Sequence, residues 1–199
     1  LFRSGHYALA HSNLLFSLSH SDTADAGTLF AEHCRFGELL DASAGGSASL
    51  PFANTPEAER RLRIGMVSGD FNNHAIASFL APVLALLAGN PNLALYAYYN
   101  KTNEEVHTQV LRGYMDHWRN VTSLSDTAME TLIRDDAIDI LIDLSGHSAA
   151  NRLPVFARKP APIQASWMGY PGTTGLRAMD YFLSDNKILP TGKFDHLFL

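Results

Sequence analysis

Three loops carry the residue types that could act on a ligand. The first, Ser68-Gly69-Asp70-Phe71-Asn72-Asn73-His74, follows a short apolar run and opens a helical pattern. Gly69 permits a turn that other residues avoid, and Asp70, Asn72 or Asn73 can cap the helix. His74 then falls in the first helical turn, where the positive helix end favours the neutral ring that a proton acceptor needs. The competing reading is a solvated or hydrogen-bonded histidine without chemistry. The second loop, Leu144-Ser145-Gly146-His147-Ser148 with Asn151-Arg152 after it, leaves the most apolar strand pattern. It can bring backbone and the His147 ring to a ligand, or be a tight turn with a satisfied histidine. The third, Trp167-Met168-Gly169-Tyr170-Pro171-Gly172-Thr173-Thr174-Gly175, holds three glycines, one proline and two threonines in nine residues. Such a loop offers backbone N–H groups and hydroxyls to an oxyanion or a sugar, the alternative being a rigid turn without a ligand.

Other chemistries find no matching pattern. The third loop is neither G-x-x-x-x-G-K-[ST] nor G-x-G-x-x-G, so neither a P-loop nor a dinucleotide fingerprint is expected. The nine histidines are scattered without zinc-type spacing, and no metal or other cofactor is expected. A G-x-S-x-G elbow and a cysteine-centred arrangement are also missing. Asp135-Asp136 reads as a solvated helix end, Asp143 as a cap or ion-pair partner, and Asp180 and Asp185 as loop-orienting residues.

The elements that must position these loops alternate. Residues 63–68, 93–99, 118–121, 138–144, 163–167 and 181–184 read as strands. Residues 75–87, 104–115, 126–135 and 153–158 read as helices. In the first of these helices Ile76, Phe79, Leu80, Val83, Leu84 and Leu87 are expected inward, with a kink at Pro82. The fold class is therefore α/β, a Rossmann-like parallel sheet with helices on both faces. Ligands in such sheets bind at the carboxyl edge of the strands, where all three loops lie. Before the sheet come a helical hairpin (1–42) and a linker (43–61) marked by Gly45-Gly46 and Pro51 and Pro56. Tyr7, Ala10, Leu14, Leu15 and Leu18 are expected on the inner face of the first helix. Leu29, Phe30, His33, Phe36 and Leu40 are expected on the inner face of the second. No partner for these faces is evident within the hairpin, which predicts marginal solubility.

Composition narrows the partners. The chain has 199 residues, 46% hydrophobic and 18% charged, an ordinary globular composition. A net charge of -5 argues against nucleic acid, and no run is long and apolar enough for a membrane span. The single Cys34 fits a reducing compartment, and the start lacks a signal-peptide pattern, so a cytoplasmic location is expected. Asn100-Lys101-Thr102 and Asn120-Val121-Thr122 match the glycosylation sequon and are read as chance. The sequence starts without Met and stops at Leu199, so a fragment is expected, with residues 62–199 a truncated catalytic domain.

Between Leu62 and Asp185 the sequence resembles the O-linked N-acetylglucosamine transferases and their Spindly-like relatives. The resemblance rests on Arg63-Ile64-Gly65-Met66-Val67-Ser68-Gly69-Asp70-Phe71 with Asn73-His74, on Asp139 to His147, on Asn151 to Ala157, on Lys159 to Gly175 and on Met179-Asp180-Tyr181. It implies the first half of a GT-B type glycosyltransferase, preceded in such proteins by helical TPR repeats that select protein substrates. It implies transfer of N-acetylglucosamine from UDP-GlcNAc to Ser or Thr hydroxyls of proteins. The alternatives are fucose from GDP-fucose, or a non-catalytic scaffold with a degenerate transferase domain. By motif match His74 takes the position of the family histidine at the active-site mouth. Gly169, Tyr170, Pro171, Gly172 and Thr173 match the loop lining the sugar pocket, with Asn73 and His147 in matching loops. Groups that stabilise the leaving diphosphate are expected mostly in a second domain, so the isolated chain is expected to be inactive.

Overall fold

The computed structural model describes residues 5–45, 50–57, 59–190 and 192–198. Two helices come first, α1 (Gly5–Leu18) and α2 (Ala26–Ser43). Asp25 starts α2 by accepting the Thr28 amide at 3.0 Å, satisfying a free helix-end donor. Then follow β1 (Leu62–Ser68), α3 (Ala75–Leu87), β2 (Leu93–Tyr99), α4 (Val106–Arg112), β3 (His117–Asn120) and α5 (Asp126–Asp135). β4 (Ile140–Asp143), α6 (Leu153–Phe156), β5 (Ile163–Trp167) and β6 (Tyr181–Leu183) complete the sheet, and a 3₁₀ turn spans Asp195–Leu197. Residues 1–4 of the expected hairpin and residues 46–49 and 58 of the expected linker lie outside the described residues.

The six strands are all parallel in the order β3-β2-β1-β4-β5-β6. This is the doubly wound arrangement, in which strand order reverses between β1 and β4 and a crevice opens there. Alternation within the strands sorts side chains onto two faces. Ala94, Tyr96 and Tyr98 of β2 join Val67 and Leu141 on the face covered by α5 and α6. Leu95, Ala97 and Tyr99 join Ile64, Met66 and Ile142 on the face covered by α3 and α4.

The hairpin is not left without a partner. Leu15, Phe36 and Leu40 are buried in the same core as Val67, Leu153 and Leu176. Its inner faces differ from the expected ones. On α1 the buried residues are His11, Ser12 and Leu15, whereas Tyr7 and Leu14 are exposed. On α2 Gly37 is buried with His33, Phe36 and Leu40. Polar residues fill the inner face because the surface they meet is itself polar, as shown below. On α3 the buried set is Ile76, Ala77, Leu80 and Leu84, and Phe79 is 68% exposed. The buried stripe of α3 is thus rotated towards Ala77 and away from Phe79.

The linker clamps the opposite, amino edge of the sheet. Arg60 pairs with the Asp139 carboxylate through both terminal nitrogens, and the Arg63 amide donates to the same carboxylate at 2.8 Å. Burial would raise the Asp139 carboxyl, but Arg60, the Arg63 amide and Asn54 outweigh it and hold it below the usual carboxylate value.

At Gly37 a Cβ would stand 1.8 Å from the Gly175 carbonyl oxygen, so backbone meets backbone. Gly37→Ala should therefore lower the unfolding free energy by about 2 kcal/mol or more, despite the gain of about 1 kcal/mol that alanine brings to a helix. Phe79→Ala should change it by less than about 0.5 kcal/mol. Urea denaturation of the two variants beside the parent chain checks both.

Candidate active site

The loops leaving β1, β4 and β5 touch one another at the carboxyl edge, beside the reversal of strand order. The first two meet where a Cβ on Gly69 would lie 2.8 Å from the Ala150 Cβ. The second and third meet twice. A Cβ on Gly146 would lie 2.2 Å from the Tyr170 Cβ, and one on Gly169 would lie 2.1 Å from the Leu144 carbonyl oxygen. Two non-glycine residues in these loops adopt left-handed backbone, Ala150 (φ 58°) and Met168 (φ 62°). Each costs on the order of 1–3 kcal/mol, a cost sustained only where surrounding contacts hold the conformation.

Charge and exposure gather at the β1 exit. His74 is the N-cap of α3, not a residue of its first turn as expected, and its Nδ1 accepts the Ile76 amide at 3.3 Å. Its side chain is 48% exposed. Asp70 is buried, lies 4.0 Å from the His74 Nδ1 and binds the Lys101 Nζ at 2.7 Å. Asn73 is exposed, and its amide donates to the Glu105 Oε2 at 2.9 Å.

The β4 exit is built on a buried carboxylate. Asp143 accepts the Ser145 and Gly146 amides at 3.0 and 2.8 Å and the Ser166 hydroxyl at 3.1 Å. Complete burial pushes its pKa up to about 6 against those three donors. One side chain thus shapes the second loop and ties it to the strand that leads into the third. It caps no helix, since the next one starts from Arg152; it closes the turn after β4, and no ion-pair partner is among its contacts in the described residues.

The expected ligand-contacting residues divide by exposure. Pro171 is exposed and Gly169 and Gly172 are half-buried, whereas His147, Tyr170 and Thr173 are buried with partners inside the protein. The His147 Nε2 donates to the Thr174 carbonyl at 3.1 Å, which leaves Nδ1 to accept the Ser12 hydroxyl at 2.9 Å. The His33 Nδ1 donates to the Leu29 carbonyl at 2.6 Å, which leaves Nε2 to accept the Tyr170 hydroxyl at 2.9 Å. Both rings are therefore neutral bridges from the hairpin to the second and third loops. Burial, with His33 close by, pushes the His147 pKa down to about 3, and burial likewise lowers that of His33. Ser12, His33 and Gly37 were not singled out as site residues. A glycine and a histidine in the apolar stripe with Phe36 and Leu40 signal a close, polar contact, but not what is contacted. Among the described residues no group of three or more His, Cys, Asp or Glu could hold a metal ion, and no helix is long and apolar enough to cross a membrane.

The model of glycosyl transferase family 41 matches residues 7–197. The chain belongs to this family. Similar proteins include the "Probable UDP-N-acetylglucosamine--peptide N-acetylglucosaminyltransferase SEC" of Arabidopsis thaliana, 35% identical over 140 residues, covering 70% of this chain and 14% of that protein. The SPINDLY protein of Hordeum vulgare, with the same enzyme name, is 31% identical over 190 residues, covering 89% of this chain and 19% of that protein. A solved mutant of the Thermobaculum terrenum O-GlcNAc transferase superposes with a TM-score of 0.84 at 37% identity, covering 96% of this chain and 36% of that one. The chain thus spans less than a fifth of these two curated relatives and about a third of the solved structure. The solved structure supports the α/β class, and its alignment includes the hairpin, which is part of the family 41 match.

The neutral bridges carry a pH signature. A histidine whose folded pKa lies below its unfolded value stabilises the fold above the unfolded value, and that stability is lost as pH falls towards the folded one. His147 should therefore contribute a loss of up to about 1.4 kcal/mol per pH unit below about 6.5, continuing towards its folded pKa of about 3. Asp143 works the other way, favouring the fold as it protonates below about 6. The difference between the parent and His147→Gln isolates the histidine. Denaturation at pH 7.5, 6 and 5 should show the variant closing its stability gap to the parent as pH falls.

Proposed function

We propose that this chain is the first of two facing α/β units of a protein O-GlcNAc transferase. The complete enzyme would move N-acetylglucosamine from UDP-GlcNAc to Ser or Thr hydroxyls of proteins. The observation that carries this reading is the family 41 match over 7–197 on a chain whose three contiguous loops meet at the strand-order reversal. The enzyme names printed for the SEC and SPINDLY relatives specify a UDP-N-acetylglucosamine donor and a peptide acceptor, which favours this donor over GDP-fucose. The preserved His74 and the whole Gly169–Gly175 loop argue against a degenerate scaffold.

In this reading the acceptor oxygen bonds to the anomeric carbon as the bond from that carbon to UDP breaks. The hydroxyl proton passes to a base, and the diphosphate leaves. Alignment of the hydroxyl can supply on the order of 7 kcal/mol or more. His74 and Asn73 line the mouth from the first loop. Backbone of Gly169, Pro171 and Gly172 faces the sugar from the third. His147, Tyr170 and Thr173 act from behind, holding that backbone in place. Groups that stabilise the diphosphate lie in the second unit, so residues 1–199 alone are inactive. The hairpin would connect to preceding TPR repeats, and the protein would work in the cytoplasm.

The test is UDP release from UDP-GlcNAc by the complete protein with a Ser- or Thr-bearing acceptor. Turnover is expected with UDP-GlcNAc, none with GDP-fucose and none with residues 1–199 alone. Turnover with GDP-fucose only would replace the donor, and no turnover with either would favour the scaffold.

A further inference from the structure

The His74 ring has two nitrogens with different fates. Nδ1 accepts the Ile76 amide at 3.3 Å and so caps α3. An atom that accepts a hydrogen bond from an amide carries no proton, so in the neutral ring the proton sits on Nε2. Nε2 has no bonded partner among the described residues, and the side chain is about half-exposed. What the ring shows to the crevice is therefore an N–H, which can give a hydrogen bond and cannot take a proton. To act as a base, the ring would have to release the α3 cap and reverse its tautomer.

The charges around it narrow what it can bind. Asp70 and Glu105 are carboxylates at this mouth, and Lys101 pairs with the first. With two negative charges against one positive, the neighbourhood repels a diphosphate and accepts an uncharged oxygen.

We propose that His74 serves the transfer reaction as a hydrogen-bond donor through Nε2, binding a carbonyl or hydroxyl oxygen of the uncharged acceptor, while the proton of the attacking hydroxyl leaves to another group. This rests on the transferase reading above. Two variants separate the two ends of the ring. Asparagine places an acceptor oxygen where Nδ1 stands and keeps the cap, but does not reach the Nε2 position. Glutamine places an N–H where Nε2 stands and cannot act as a base near neutral pH.

The experiment is UDP-GlcNAc turnover by the complete protein and its His74→Ala, His74→Asn and His74→Gln variants, with thermal melting of each. Parent turnover establishes the transferase reading by itself; its absence would sink that reading rather than the assignment of the ring. Given turnover, His74→Gln should stay within about tenfold of the parent, while His74→Ala and His74→Asn fall about a hundredfold, in the range that removal of one oriented donor produces. His74→Asn should melt closest to the parent. Glutamine as inactive as alanine would restore the base, and asparagine as active as the parent would reduce the residue to a helix cap. Either result overturns the proposal.

Discussion

Helix α2 lies directly on the backbone of the third loop, and that contact sets the geometry of much else. A Cβ on Gly175 would stand 2.0 Å from the His33 carbonyl oxygen, just as one on Gly37 would meet the Gly175 carbonyl. Two glycines facing each other let a helix and a loop approach at a distance no side chain allows. Once there, His33 reaches the Tyr170 hydroxyl, and Ser12 of the neighbouring helix reaches His147. Tyr170 in turn packs on Gly146 and so fixes the second loop. The hairpin is therefore a wall of the carboxyl edge, and Leu15, Phe36 and Leu40 complete a core that the sheet shares.

This contact explains why the hairpin's junction with the second and third loops is polar yet uncharged. Each ring nitrogen of His33 and His147 has one partner of the opposite hydrogen-bonding character, so the desolvation cost of burial falls on the imidazolium and not on the neutral ring. The charged groups lie elsewhere. Asp70, Lys101 and Glu105 surround the β1 exit, and Asp143 sits under the β4 exit with three donors. Rigid backbone is thus held from behind by neutral bridges, while polar and charged side chains face the crevice from the first loop.

The sheet was legible because its signals are local. Short apolar strands separated by amphipathic helices imply parallel pairing, and each expected strand is found with boundaries shifted by a residue or two. The three loops were legible for the same reason, since each follows a strand and carries glycine. The division of labour within them was not. His147 and Tyr170 have the chemical types of ligand-contacting residues, and it is the hairpin, more than 100 positions away along the chain, that forms a hydrogen bond with each. The α1 face was misread because its partner is polar, so His11 and Ser12 turn inward while Tyr7 and Leu14 turn out. Periodicity also places Phe79 inward, but the buried stripe of α3, Ile76, Ala77, Leu80 and Leu84, is rotated away from it.

If hairpin and loops form one unit, they should open together. Hydrogen–deuterium exchange of the complete protein measures this at each amide, beside a Tyr170→Phe variant that removes the hydroxyl bridge to His33. The account predicts that in the variant α2, residues 144–148 and residues 168–176 lose protection together and by a similar factor, while β1 and β2 keep theirs. Faster exchange confined to α2, with both loops as protected as in the parent, would contradict it.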